Sequence, residues 1–380
     1  MLLFFVSVDW MQSIVGNKNL CNYAAEKGRI DILQQVHEQE PLIFENYNDF
    51  ATIASQYGHL NVLEFFKNNN IEFDVYTCAK IAAEYGFLHI IQWLHQNGCD
   101  PNYVHENSWT CCGAASGGHL HILQWLRNHG YQWDRYTCFK AAGNGHLHVL
   151  QWARENGCPW DEETCNHAAR YGHLHILQWA RQEGCPWNKA TCSYAAENGY
   201  LQILQWARKN GCPWNEYEIC KFAYQYGHLH ILHWALTNGC KLLFGDYSYI
   251  FYVNHLPLST QLNMLNWVLN WVKDHNLPPA NVKKIFNMAI QRKKIYIAKF
   301  LLENKHVDFV NVAKFLQTNV KEISKLEFNR IQDVEWFHEM RLKAYDFKFK
   351  KFRSKIDTFN TALLNVIEVP DLVKLIKSYI

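Results

Sequence analysis

Apolar residues recur along most of this chain in short runs at helical spacing, each closed by a glycine. The pattern is complete in Thr164–Asn188. Cys165, Ala168 and Ala169 fall on one face of a short first helix, and Gly172 follows as its stop. Leu174, Ile176, Leu177, Trp179 and Ala180 then give a second helix that ends at Gly184, and Pro186 prevents its continuation. Thr164 is the expected N-cap of the first helix, its hydroxyl accepting from a free amide of the first turn.

The same pattern stands before and after. Thr137, Thr164 and Thr191 are spaced by 27 residues, as are Gly145, Gly172 and Gly199. A fixed period of this length is the signature of stacked units, each a helix pair that buries its apolar face only against its neighbours. Earlier pairs are expected at Cys21–Val36, Phe50–Phe66 and Tyr76–Gly98. The step from Gly86 to Gly118 is 32, which places a longer loop over Asp100–Ser108. Four close-spaced units run from Trp109 to Asn215, and an eighth, Tyr217–Cys240, carries Phe222-Ala223 in place of the double alanine. Past Cys240 the signature fades. Leu262–Lys273 reads as an amphipathic helix, Asn281–Met288 and Ile295–Glu303 as one more pair, Asp308–Leu326 and Asn329–Asn360 as helical, and Leu363–Ile380 as a closing segment broken by Pro370. The expected organisation is an N-terminal cap over 1–19, about eight repeats over 20–240, degenerate helical repeats over 241–310, and a C-terminal helical region over 311–380.

These residues resemble the ankyrin repeat. Ala168-Ala169-x-x-Gly172-His173-Leu174 is similar to that family's helix-turn core, and Asn156-Gly157-Cys158 to its second-helix stop. The resemblance covers roughly residues 20–240. It implies an all-α, ankyrin-like solenoid that binds another protein. Ankyrin units run about 33 residues, so the residues missing here fall between Gly157 and Thr164, where the family projects a β-hairpin finger. That finger is expected to be trimmed to a short turn. Short units reading G-H-L-x-I-L-Q-W and N-G-C-P-W resemble ankyrin-like proteins of giant viruses of amoebae.

Composition narrows the function classes. The formal net charge is +2, so no global field points to nucleic acid. The 13 cysteines are odd in number and mostly in register, which argues for buried thiols in a reducing, cytoplasmic compartment rather than a disulfide framework. No run reaches the roughly 18 apolar residues of a membrane helix. The opening MLLFFVSV lacks the basic start of a secretory signal, and Met1–Gly16 is read as a capping helix or the remnant of a longer N-terminus.

Candidate chemistry is sparse. The pairs His119/His121, His146/His148, His173/His175 and His228/His230 place their rings about 200° apart on a helix, so backbone bonding for the first histidine and solvent for the second is favoured over a metal ladder. Cys158/Cys165 and Cys185/Cys192 are seven apart, not the C-x-x-C of structural zinc. Trp125, Trp152, Trp179, Trp206 and Trp234 on second helices, with Trp160, Trp187 and Trp214 in the turns, read as packing between units before they read as a ligand ladder. Arg341–Lys355 interleaves basic and aromatic residues, either as a solvated capping helix or as a nucleic-acid or membrane contact. Leu363–Ile380 resembles the F-box-like tail of poxviral ankyrin proteins, which implies docking on ubiquitin-ligase components; a plain closing helix has the same pattern. No phosphate-binding loop and no nucleophile–base set is present in the sequence, and neither a metal nor a cofactor is expected.

What packing leaves free are the positions that differ between matched units. Before the turn glycines stand Glu84-Tyr85, Ser116-Gly117, Gly143-Asn144, Arg170-Tyr171, Glu197-Asn198 and Gln225-Tyr226. Before the threonines stand Tyr76, Trp109, Tyr136, Glu163 and Ala190. The candidate partner-binding set is therefore Tyr76, Tyr85, Trp109, Tyr136, Asn144, Glu163, Arg170, Tyr171, Asn198 and Tyr226; drift on a solvated face gives the same variability. The sequence predicts a monomeric, non-catalytic scaffold, with a ligase adaptor or a nucleic-acid or membrane binder as alternatives.

Overall fold

The computed structural model describes residues 18–46, 49–101, 107–240, 256–275, 285–286, 288–289, 292 and 294–304. Every regular element among them is helical. They fall in two units, Met1–Ala223 with His230–Cys240, and Tyr224–Leu229 with Lys241–Ile380.

In the first unit helix pairs follow one another. α1 (18–27), α2 (Ile30–Gln39) and α3 (Leu42–Asn46) come first. First and second helices then alternate: α4 (Asp49–Tyr57) and α5 (Leu60–Asn68), α6 (Val75–Tyr85) and α7 (Leu88–Gln96), α8 (Asn107–Gly117) and α9 (Leu120–Asn128). α10 (Arg135–Gly143) and α11 (Leu147–Glu155), α12 (Glu162–Arg170) and α13 (Leu174–Gln182), and α14 (Lys189–Glu197) and α15 (Leu201–Lys209) continue the series; α16 (Glu216–Gln225) and α17 (Leu229–Thr237) belong to it up to Ala223 and from His230.

The N-cap differs from expectation. Asp161, not Thr164, caps α12, its side chain accepting from the Glu163 amide at 3.1 Å. Asp74, Asp134 and Asn188 cap α6, α10 and α14 in the same way. Two capping residues lie three apart in the sequence, and the helix starts at the first. Thr164 is thereby carried inside the helix and fully buried. In that place a threonine faces the preceding unit: Thr191 Oγ1 donates to Asn166 Oδ1 at 2.7 Å, and Thr137 Oγ1 lies 3.7 Å from Cys112 Sγ. The turns are as expected. Gly172 and Gly184 stop their helices at φ +89 and +81, a conformation that costs a residue with a Cβ. The chain passes from Glu155 to Glu162 without regular structure, so the finger is reduced to a short turn.

Small residues set how closely the first helices approach. Cys165, Ala168 and Ala169 have no exposed surface, nor do their counterparts Cys138, Ala141, Ala142, Cys192, Ala195 and Ala196. Consecutive first helices therefore pack on one another more tightly than consecutive second helices do. The limit is α8 on α6, where a methyl group on Gly113 would stand 2.3 Å from the Lys80 carbonyl oxygen and one on Gly117 2.0 Å from that of Glu84. Second helices bring the bulk: Ile176 and Leu177 of α13 are fully buried, each contributing about 1.5–3 kcal/mol over exposure.

The histidines tie unit to unit. Nε2 of His119, His146 and His173 donates to the carbonyls of Glu84, Ser116 and Gly143 at 3.1, 3.0 and 3.1 Å. Each ring also lies over a turn glycine of the preceding unit, so that a methyl group on Gly145 would meet His173 at 3.0 Å. The second histidines are exposed, and His148 and His230 still donate to Gly118 and Gly199 carbonyls at 3.2 and 3.1 Å.

In the second unit, α18 (Leu258–Asp274) buries Met264, Leu265, Val268, Leu269 and Val272 on one stripe, and α19 (Ile295–Glu303) has the bounds read from the sequence. Tyr296 donates to Gln261 Oε1 at 2.7 Å. Residues 1–17, the helices expected over Asp308–Leu326 and Asn329–Asn360, the basic stretch Arg341–Lys355 and the tail Leu363–Ile380 lie outside the described residues.

Candidate functional site

Two aromatic ladders run along the first unit, and they are built differently. On the second helices and the turns after them, the Arg181 guanidinium lies 4.2 Å over Trp187, whose edge meets Trp206 of the next unit at 5.8 Å. The stack recurs as Arg127–Trp133–Trp152, Arg154–Trp160–Trp179 and Arg208–Trp214–Trp234, with ring-to-ring distances of 5.7, 5.9 and 6.0 Å. Arg154 and Arg181 also donate to the carbonyls of Cys158 and Cys185. These tryptophans are half-buried and engaged in packing, edge-to-face with a cation on the open side.

The thiols and imidazoles offer little chemistry. All thirteen cysteines are free and buried. Those twenty residues apart in one unit are neighbours, a pairing that the sequence reading did not make: contact with Cys138 and burial raise the Cys158 thiol, and contact with Cys165 and burial raise Cys185. Burial pushes Cys78 and Cys112 up to about 12, so their thiolates are disfavoured. Within the pairs His119/His121, His146/His148 and His173/His175 the rings stand 6.0–6.2 Å apart at 75–80°. Among the described residues no group of three or more His, Cys, Asp or Glu side chains gathers around a common point. No described helix is long and apolar enough to cross a membrane.

The first-helix side is the other ladder. Tyr23, Tyr57, Tyr85, Trp109, Tyr136 and Tyr171 all lie on first helices or directly after one, each 45–53 % exposed. At the centre the rings make a chain across two units: Tyr136 on Phe139 at 5.1 Å, Phe139 stacked on His167 at 4.4 Å, and His167 against Tyr171 at 5.9 Å. The cluster is ringed by cations. Arg135 lies 5.7 Å over Tyr136, Lys140 5.9 Å over Phe139, and Arg170 4.9 Å over Tyr194. Arg135 also pairs with Asp161 at 3.0 Å. Burial lowers the His167 pKa, with Lys140 and Arg170 adding to it and Glu163 opposing, so the imidazole is neutral at pH 7.

Asn166 bonds to Thr191 and Cys112 lies against Thr137, each 25 residues on, and Phe139 holds the equivalent position for Thr164. Phenylalanine offers no acceptor, and Thr164 Oγ1 is buried without a partner. Leaving a buried hydroxyl unsatisfied costs about 1–3 kcal/mol.

The ten sequence candidates are distributed unevenly. Tyr136, Arg170 and Tyr171 belong to the central cluster. Glu163 borders it, accepting from Asn166 at 3.2 Å and lying 4.0 Å from His167 Nε2. Trp109 is exposed with Lys80 5.7 Å over its ring, and the Tyr85 hydroxyl accepts from Gln56 at 3.0 Å. Asn144 and Asn198 cap their helices, donating to the Lys140 and Tyr194 carbonyls at 2.9 and 3.0 Å. Tyr76 is half-buried and one position out of register, ten residues before its turn glycine where Trp109 and Tyr136 stand nine before theirs. Tyr226 falls in the second unit, 40 % exposed. Phe139, His167, Lys140 and Tyr194 were missed, although their positions differ between units as much as those chosen.

No curated protein matches the chain. Residues 79–127 match the family model described as ankyrin repeats (many copies). That stretch runs from within α6 into α9, and the same helix pairs, turn glycines and paired small residues continue after it, so the described helices form an ankyrin-like helical-repeat array.

Proposed function

We propose that the chain is a non-catalytic scaffold that binds a partner protein through the first-helix side of its repeats, with the cluster of Tyr136, Phe139, His167, Arg170 and Tyr171 at the centre. Ankyrin repeats are protein-interaction modules in general, and one observation carries the finer reading. The strongly exposed aromatic rings of the array gather on the first helices, while those of the second helices and turns, Trp93 apart, are taken up by contacts with other rings. Tyr, Trp and Arg are the side chains that anchor interfaces. Phe139 supports the same reading, because it opposes a buried hydroxyl that an asparagine would satisfy. Thirteen free thiols suit a reducing compartment, and host-protein binding in a cytoplasm is consistent with the viral resemblance.

The test is affinity capture from lysate, read by mass spectrometry, with the wild type, a Tyr136→Ala/Tyr171→Ala variant and a Glu155→Ala/Glu183→Ala control at the C-terminal ends of second helices. Proteins held by the wild type and the control and lost by the tyrosine variant are the expected result. Identical captures by all three would refute the reading.

A further inference from the structure

The stack between second helices is open at one interval. From α5 onward each second helix carries a ring five residues before its turn residue: Phe65, Trp93, Trp125, Trp152, Trp179, Trp206 and Trp234. Phe65 has His37 at 6.0 Å and Phe44 at 6.3 Å. Trp125 has His95 at 5.5 Å and His129 stacked at 3.9 Å. The last four have a turn tryptophan at 5.7–6.0 Å. Trp93 alone among these described rings meets no other ring; its neighbour is the Lys67 ammonium, 5.8 Å over its face.

The cause lies in the preceding turn. Asn69-Asn70-Ile71-Glu72-Phe73 stands where later units have Asn156-Gly157-Cys158-Pro159-Trp160. Asn70 supplies the left-handed turn at φ +56, which asparagine tolerates better than most residues. Phe73 is smaller than the indole it replaces and turns inward to Phe66 at 6.2 Å. Lys67 takes the place of the stacking arginine and bonds to Asn97 Oδ1. The space left is about 430 Å³, bounded by Lys67, Ile71, Glu72, Phe73, Trp93 and Asn97.

We propose that this slot binds an aromatic side chain, by preference an indole, presented by a partner protein. The chain itself supplies the template. At four equivalent intervals the same space holds a tryptophan, with a guanidinium 4.2–4.3 Å over its face and a second tryptophan meeting its edge. Ligand sites run about 300–1,000 Å³, and the slot falls within that range. Lys67 has a flexible stem that swings from Trp93 to the face of the incoming ring. Glu72, in place of proline, puts an acceptor at the rim for the indole N–H. The site is on the second-helix side and stands whether or not the first-helix face binds.

The experiment is a fluorescence-anisotropy titration of the full chain into a labelled peptide copying Asn156–Asp161 with Cys158→Ser. Saturable binding is expected, weakened at least tenfold by Trp160→Ala in the peptide and equally by Trp93→Ala or Phe73→Trp in the protein. Phe73→Trp fills the slot from within and raises the melting temperature, which separates a blocked slot from an unfolded array. No saturable binding, or binding unmoved by Trp160→Ala or by Phe73→Trp, would overturn the proposal. Competition by N-acetyltryptophanamide as strong as by the unlabelled peptide would overturn the assignment to a protein partner and point to a small-molecule site.

Discussion

Trp179 and Tyr171 stand eight residues apart in one unit and show two uses of aromatic surface. Trp179 is held between units, its ring against Trp160, over which Arg154 lies, and the arrangement recurs at Trp152, Trp206 and Trp234. Tyr171 is 53 % exposed, touches His167, and has Asn144 and Asn198 in its place in the two neighbouring units. Strict recurrence marks a ring that packing demands; exposure with variation marks one that packing leaves alone. A period fixes a scaffold shared by proteins with unrelated targets, so recognition has to lie in what the period does not fix.

The comparison can be broken at several points. The largest change is to remove Thr164–Ala190 and join Glu163 to Thr191, which preserves register because Glu163 and Ala190 are equivalent. Neighbours contact only neighbours, so circular dichroism is expected to report a shorter array of undiminished helicity per residue; loss of the helical signal would disprove the stacked architecture. Gly172→Ala comes next. It forces a Cβ into φ +89 and against the Tyr200 ring at 2.7 Å, and urea melts are expected to show a loss of about 1–3 kcal/mol. Phe139→Asn acts in the opposite direction. It gives Thr164 the partner that Asn166 gives Thr191, so stability is expected to rise by about 1 kcal/mol while capture of the partner weakens; a gain in both would remove Phe139 from the recognition surface.

The smallest effect is pH. His119, His146 and His173 have pKa values lowered by burial, so the folded state prefers the neutral ring that donates from Nε2. Their contribution is complete above the unfolded value of about 6.5 and is lost as pH falls through it toward the folded values. The melting temperature is expected to fall between pH 7 and 5, and His146→Gln to flatten the dependence. A melting temperature that rises on acidification would contradict the histidine ties.

Much of the fold was legible because each unit states it again. Gly172 and Gly184, the paired alanines and the Leu–Ile–Leu stripe are local signals, and the bounds of α19 followed from them. The N-cap was not legible, since Asp161 and Thr164 are both good caps within one turn of each other and only the packing of the threonine decides. The slip at Tyr76 escaped for a similar reason: Cys78 follows Thr77 as Cys138 follows Thr137, yet the turn glycine is one residue further away. The ring chain from Phe139 to His167 spans 28 residues and becomes visible only when α10 and α12 lie side by side. The open slot left a trace in the sequence, in Asn70 for glycine and Phe73 for tryptophan, which matters only once the stack they interrupt is seen.

The most direct measurement is a pair of urea melts, Trp179→Ala beside Tyr171→Ala. Losing the stacked indole is expected to cost about 3 kcal/mol, and losing the exposed phenol less than about 0.5 kcal/mol. Equal losses would mean that both ladders are scaffold, and that position along the repeat does not separate packing from recognition.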